Sequence, residues 1–104
     1  MTTEVRDDPE RNRYELYEDG EQVGMVTYRL GPGSIDVIHT EVDSDHGGRG
    51  LAGILVRAAL DDARVRDLAV LPHCSYVAKF IGEHRDEYLE QVPEERRHQF
   101  GLGG

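Results

Sequence analysis

Ile35-Asp36-Val37-Ile38-His39-Thr40-Glu41-Val42, then Asp43-Ser44-Asp45-His46-Gly47-Gly48-Arg49-Gly50, then Leu51-Ala52-Gly53-Ile54-Leu55-Val56-Arg57-Ala58-Ala59: within this one stretch the sequence changes its period. The first eight residues alternate and are rich in β-branched side chains, which reads as a strand. Ile35, Val37 and His39 fall on one face, and Asp36, Ile38 and Thr40 on the other. The next eight are small and polar, a loop. From Leu51 the apolar positions Leu51, Ile54, Leu55, Ala58, Ala59 and Ala63, joined by Asp62, recur at three and four. That is an amphipathic helix of roughly four turns, ending near Arg66 and Asp67. Arg64 and Arg66 suit its negative end.

Upstream, Arg13 to Glu18 and Gln22 to Leu30 read as strands joined by the Asp19-Gly20 turn, a strong hairpin signal. Gly31-Pro32-Gly33-Ser34 turns the chain again. The first half is therefore an antiparallel meander. Downstream, Leu68-Ala69-Val70-Leu71 is a short apolar strand stopped by Pro72. Ser75 opens a second helix running through Tyr76, Val77, Phe80 and Ile81 toward His84. The strand-helix-strand unit from Ile35 to Leu71 should bring its two strands parallel. The expected fold class is α/β (α+β), a meander followed by β-α-β-α. Residues 1–12 are expected to be a flexible arm, 13–90 the folded domain, and 91–104 a charged, glycine-rich tail with one helical turn near Glu87 to Leu89 before it frays.

The chain has 104 residues and a formal charge of −9. That length fits one domain. The acidity opposes binding to nucleic acid or to anionic membranes, and suits a cationic amine or basic peptide. No apolar run approaches the ~20 residues that span a bilayer. Cys74 is the single cysteine, so no internal disulfide is formed, and a cytoplasmic location is expected. A monomer or weak dimer is expected.

The turn Gly47-Gly48-Arg49-Gly50-Leu51-Ala52 holds the most chemical content. The first turn of a helix leaves backbone N–H groups without partners. With the helix dipole they form an anion site, and glycines let the backbone approach a pyrophosphate closely. No Gly-Lys-Ser/Thr follows, so this is no Walker A loop. Cys74 stands at the start of the second helix, where the dipole favours thiolate, and a thiolate accepts acyl groups. His73 adjoins it, and His39 is expected nearby on the neighbouring strand. A small buried hydrophobe is the plainer reading of Cys74. A zinc site from His39, His46, His73 and Cys74 lacks the second cysteine of a deaminase signature, and no metal is expected.

His39-Thr40-Glu41-Val42, Gly48-Arg49-Gly50-Leu51-Ala52-Gly53-Ile54-Leu55-Val56 and Pro72-His73-Cys74-Ser75-Tyr76-Val77 together resemble the small, minimal GNAT-like N-acetyltransferases, from about Tyr14 to Tyr88. The resemblance implies a sheet splayed where acetyl-CoA lies. It implies pyrophosphate donors at Gly48, Gly50, Leu51 and Ala52, with Gly47, Arg49 and Ser75 beside them. It implies that Thr40, Glu41 and Val42 run along the pantetheine arm, and that Cys74 lies near the thioester. Cys74 and His39 are the candidate catalytic residues, with Glu41 and His73 as further candidate bases. The family's usual Gln or Arg three residues before Gly50 is here Gly47, and the usual N-terminal helices that shape the acceptor site are missing. The expected activity is acetyl transfer from acetyl-CoA to an amine or peptide, either directly or through a cysteine. The alternative is a non-catalytic acyl-CoA-binding or interaction module.

Overall fold

The structure, a computed structural model, describes residues 2–43 and 50–103. Five strands form one sheet in the order β1-β2-β3-β4-β5: β1 Thr3–Asp8, β2 Arg13–Glu18, β3 Glu21–Gly31, β4 Ser34–Val42 and β5 Ala69–Pro72. The first four pair antiparallel, and β4 pairs parallel with β5. Helix α1, Leu51–Val65, links β4 to β5, and α2, Ser75–Glu83, follows. A short α3, Arg85–Tyr88, leads into three 3-10 turns, Leu89–Gln91, Glu94–Arg96 and His98–Phe100. This is the expected α/β fold.

One sheet face carries the core. Tyr14, Leu16, Val26, Tyr28, Ile35, Val37 and Val70 meet Leu55, Val56, Leu60, Val77 and Ile81 of the helices, all buried. The buried stripe of α1 is Leu51, Leu55, Val56, Ala59, Leu60 and Ala63. The sequence pattern pointed the stripe through Ile54, Ala58 and Asp62, roughly two thirds of a residue step around the helix from the observed one. Ile54 is instead exposed, and Asp62 accepts a hydrogen bond from Tyr14 Oη at 2.5 Å. Val56 and Leu60 supply the apolar bulk that outweighs Ala58 in orienting the helix.

Two segments depart from the sequence reading. Residues 3–8, expected within a flexible arm, are β1, paired in register from Thr3↔Glu18 to Asp8↔Arg13. Only Val5 and Asp8 are even half-buried, so the strand lacks the apolar alternation that announces one. It is held by its backbone ladder and by Tyr28 Oη donating to Asp7 at 2.6 Å. The tail expected to fray folds back. Val92 and Leu102 are buried, and the Arg97 guanidinium donates to the carbonyls of Val92 and Leu89. Two well-spaced apolar residues among charges suffice to dock it.

Candidate functional site

β4 and β5 run side by side only from Ser34↔Ala69 to Val37↔Pro72. Proline has no N–H to extend the ladder. The Cys74 N–H makes one last bond to Val37 O at 2.9 Å, and the chain then turns into α2. β4 continues to Val42 with no neighbour on that side among the described residues. The sheet therefore opens beyond Val37 and Pro72.

A bulge at the same level changes which side chains face the opening. Thr27 pairs with His39 but Tyr28 pairs with Val37, so Ile38 is an extra residue. An extra residue reverses the alternation of a strand. Ile35 and Val37 face the core, but beyond the bulge it is Thr40 and Val42 that are half-buried, with His39 and Glu41 exposed. Thr40 Oγ1 thus lies 3.5 Å from Cys74 Sγ, within reach of a weak hydrogen bond. Cys74 is the N-cap residue of α2 and is 9% exposed. His39, read as a neighbour of Cys74, instead has its Nε2 3.7 Å from Glu41 Oε1 on the other face. A strict two-residue period could not foresee this, because the bulge has no side-chain signature.

At the far end of β4 lies the start of α1. Gly50, its N-cap residue, adopts a left-handed conformation, φ 72°, that favours glycine. No side chain caps the helix, its first turn carries no acid, and its own bonding begins with Ile54 N–H to Gly50 O at 3.2 Å. Leu51 is buried and Ala52 half-buried. Gly47, Gly48, Arg49 and His46 lie outside the described residues. Ser75, the first residue of α2, is exposed.

Two grooves border this region. One, of about 630 Å³, runs over Gln22 to Met25 and Thr40 to Asp43. Its floor explains Gly24: a Cβ there would stand 2.9 Å from the Glu41 carbonyl oxygen and 3.1 Å from Val42 Cγ2. A glycine inside a strand signals such close approach, so Gly24 was open to discovery in the sequence. The other, also about 630 Å³, lies between α2 and the folded-back tail and includes His73, Ser75 and Lys79. The His73 ring stands edge-on to Phe100, centroids 5.0 Å apart. No sequence pattern ties those two residues together.

The remaining charges brace the scaffold. On the sheet face away from the helices, Arg13 Nε lies 2.7 Å from Glu15, and Tyr17 Oη donates to the same carboxylate at 3.0 Å. Burial pushes the Glu15 carboxyl up, but these bonds outweigh it and hold it below the ordinary carboxylate range. Burial, then the bonds to Asp62 and Asp7, push the Tyr14 and Tyr28 hydroxyls up. Arg66 closes that network, 3.4 Å from Asp62 and 3.6 Å from Asp7. Among the described residues no three His, Cys, Asp or Glu side chains gather to hold a metal ion. No helix among them is long and apolar enough to cross a membrane.

Residues 13–92 match the family described as GCN5-related N-acetyl-transferase. The chain is 32% identical to Protein NATD1 of Bos taurus over 91 residues, which is 85% of this chain and 80% of that one. It is 30% identical to Protein NATD1 of Danio rerio, over 85% and 83%. The solution structure of a GCN5-like protein of Staphylococcus aureus superposes with a TM-score of 0.64 at 26% identity, covering 86% of this chain and 87% of that one.

Proposed function

The chain belongs to the GCN5-related N-acetyltransferase family, and from that premise we propose that it binds acetyl-CoA in the opening between β4 and β5 and transfers the acetyl group to an amine. The single observation that carries this reading is the parting of the two strands after Val37 and Pro72, with Thr40 and Cys74 3.5 Å apart in the gap. The uncapped, acid-free start of α1 beyond Gly50 supports a pyrophosphate there, with Gly47, Gly48, Arg49, Leu51 and Ala52 around it. Thr40, Glu41 and Val42 would flank the pantetheine arm, and Ser75 the opposite wall. A cytoplasmic setting accords with a lone free thiol.

Acetyl-CoA supplies an acetyl group already activated as a thioester. The chain must orient it, exclude water and remove a proton from the acceptor's ammonium. Thr40 and Cys74 line the gap where the thioester would lie. His39 is exposed at the bulge, with Glu41 Oε1 3.7 Å from its Nε2. His39 is the proposed base, reached from the exposed face of β4, with His73, next to Cys74 in the chain, as the competing one. Cys74 either receives the acetyl group on Sγ and passes it on, or only lines the pocket.

Cys74→Ala decides between these routes. Loss of steady-state acetyl transfer together with a hydroxylamine-labile acetyl on the native protein supports the covalent route. Full activity in the variant removes it. One observation favours a non-catalytic binding module instead: β1 passes to β2 through residues 9–12, with no helices between them to wall an acceptor site. Tight acetyl-CoA binding with no transfer to any member of a broad panel of amines and basic peptides would establish that second reading.

A further inference from the structure

Lys79 is the single lysine of the 104 residues. It stands on the exposed side of α2 and lines the groove that also holds His73 and Ser75, the two neighbours of Cys74. Every arginine on α1 in the described residues has an anionic or carbonyl partner: Arg57 and Arg64 bond to Glu87, and Arg66 to Asp62 just past the helix end. Lys79 has no ion-pair or hydrogen-bond partner among the described residues. Glu83, four residues on, lines the same groove without engaging it. An unpaired primary amine in a chain of formal charge −9 is conspicuous.

Its position gives it reach. Lys79 follows Cys74 by five residues, about 7.5 Å along the helix axis. Side chains on a helix lean toward its N-terminus, so the four-carbon stem of Lys79 extends back toward the first turn of α2. That turn borders the gap between β4 and β5. We infer that Lys79 is an acceptor built into the chain, and that the protein acetylates itself there. The inference rests on acetyl-CoA binding in that gap.

In this step Lys79 Nζ, as the free amine, attacks the thioester carbonyl. A C–N bond forms and the C–S bond breaks. The proton shed by nitrogen passes to the imidazole of His73, in the same groove, and from there to the departing thiolate. The product is an uncharged amide, so the groove loses its one lysine cation. An acetylated Lys79 would then leave the groove more apolar, alongside Pro72, Phe100 and Leu102.

The composition makes the test clean. The full-length protein is incubated with acetyl-CoA carrying a deuterated acetyl group, treated with hydroxylamine to strip thioesters, and weighed intact, then mapped by peptide. The expected result is one stable label on Lys79. Its rate per molecule should be independent of protein concentration and at least about a hundredfold above that of the isolated peptide 75–83 under the same conditions. Lys79→Arg should abolish it. Equal rates in protein and peptide would mean adventitious chemical acylation and would overturn the inference. So would a label only on the N-terminal amine, or only a hydroxylamine-labile one on Cys74. The melting temperature with and without acetyl-CoA separates the two levels. A shift without the amide label defeats self-acetylation alone, whereas no shift defeats the proposed function with it.

Discussion

Replacing Gly24 by alanine should damage fold and site together. The new Cβ would lie 2.9 Å from the Glu41 carbonyl oxygen and 3.1 Å from Val42 Cγ2. The nearer atom belongs to the backbone of β4, so relief requires moving that strand by a few tenths of an ångström. Overpacking of this kind costs about 1–3 kcal/mol. Alanine recovers about 0.4–1 kcal/mol by restricting the unfolded chain. The central net loss is about 1.3 kcal/mol, and at about 4–8 °C per kcal/mol the melting temperature should fall by roughly 5–10 °C. Gly82→Ala is the matched control. Its Cβ would meet Leu102 Cδ2 at 3.6 Å, an ordinary contact, inside a helix. That change should stabilise by about 0.5–1 kcal/mol. Thermal denaturation by circular dichroism reads both. The site adds a second readout, because the strand displaced in Gly24→Ala carries Thr40, Glu41 and Val42. The stabilisation conferred by acetyl-CoA should shrink in Gly24→Ala and persist in Gly82→Ala. A Gly24→Ala protein as stable as the native one would refute the close approach of β3 and β4.

The remaining expectations concern titration. Tyr14 and Tyr28 are held above the ordinary tyrosine value of 10.0, by burial first and then by their bonds to Asp62 and Asp7. Stability tied to a raised pKa is present below the unfolded value and lost as pH rises through the folded one. Phenolate absorbance should therefore show these two tyrosines un-ionised at pH 10.5, titrating only as the protein unfolds. Complete, reversible titration of all five tyrosines near pH 10 in the folded protein would contradict this. Glu15 lies below the ordinary 4.5, so its contribution is present above that pH and lost as pH falls through its folded value. The stability gap between native protein and Glu15→Gln should be widest above pH 5 and close below pH 4.5. A gap independent of pH would show that the charge on Glu15 does not act.

The parts of the fold that sequence made legible are those whose periodicity is set by burial. β2, β3, β4, α1, β5 and α2 each carry apolar residues at the spacing their element demands. β1 was missed because its partner is a backbone ladder, which any sequence can supply, and its side chains are mostly wet. The tail was missed because Val92, Phe100 and Leu102 are too far apart to form a period. In the site, the glycines before Leu51 and the segment Pro72 to Ser75 announced themselves by chemistry and by resemblance. The bulge at Ile38 did not. It decides that Thr40 rather than His39 faces Cys74, and only the pairing register reveals it.

In the proposed function the opening between β4 and β5 and the turn before α1 hold acetyl-CoA. The most direct measurement is the melting temperature with and without acetyl-CoA, for the native protein and for Gly50→Glu. A ligand at a hundredfold excess over Kd that binds only the folded state adds about 2.7 kcal/mol, which is on the order of 10–20 °C for a domain of this size. That rise is expected in the native protein, and its loss in the variant, where a carboxylate replaces the left-handed glycine at the helix start. No rise in the native protein, or an equal rise in both, would contradict it.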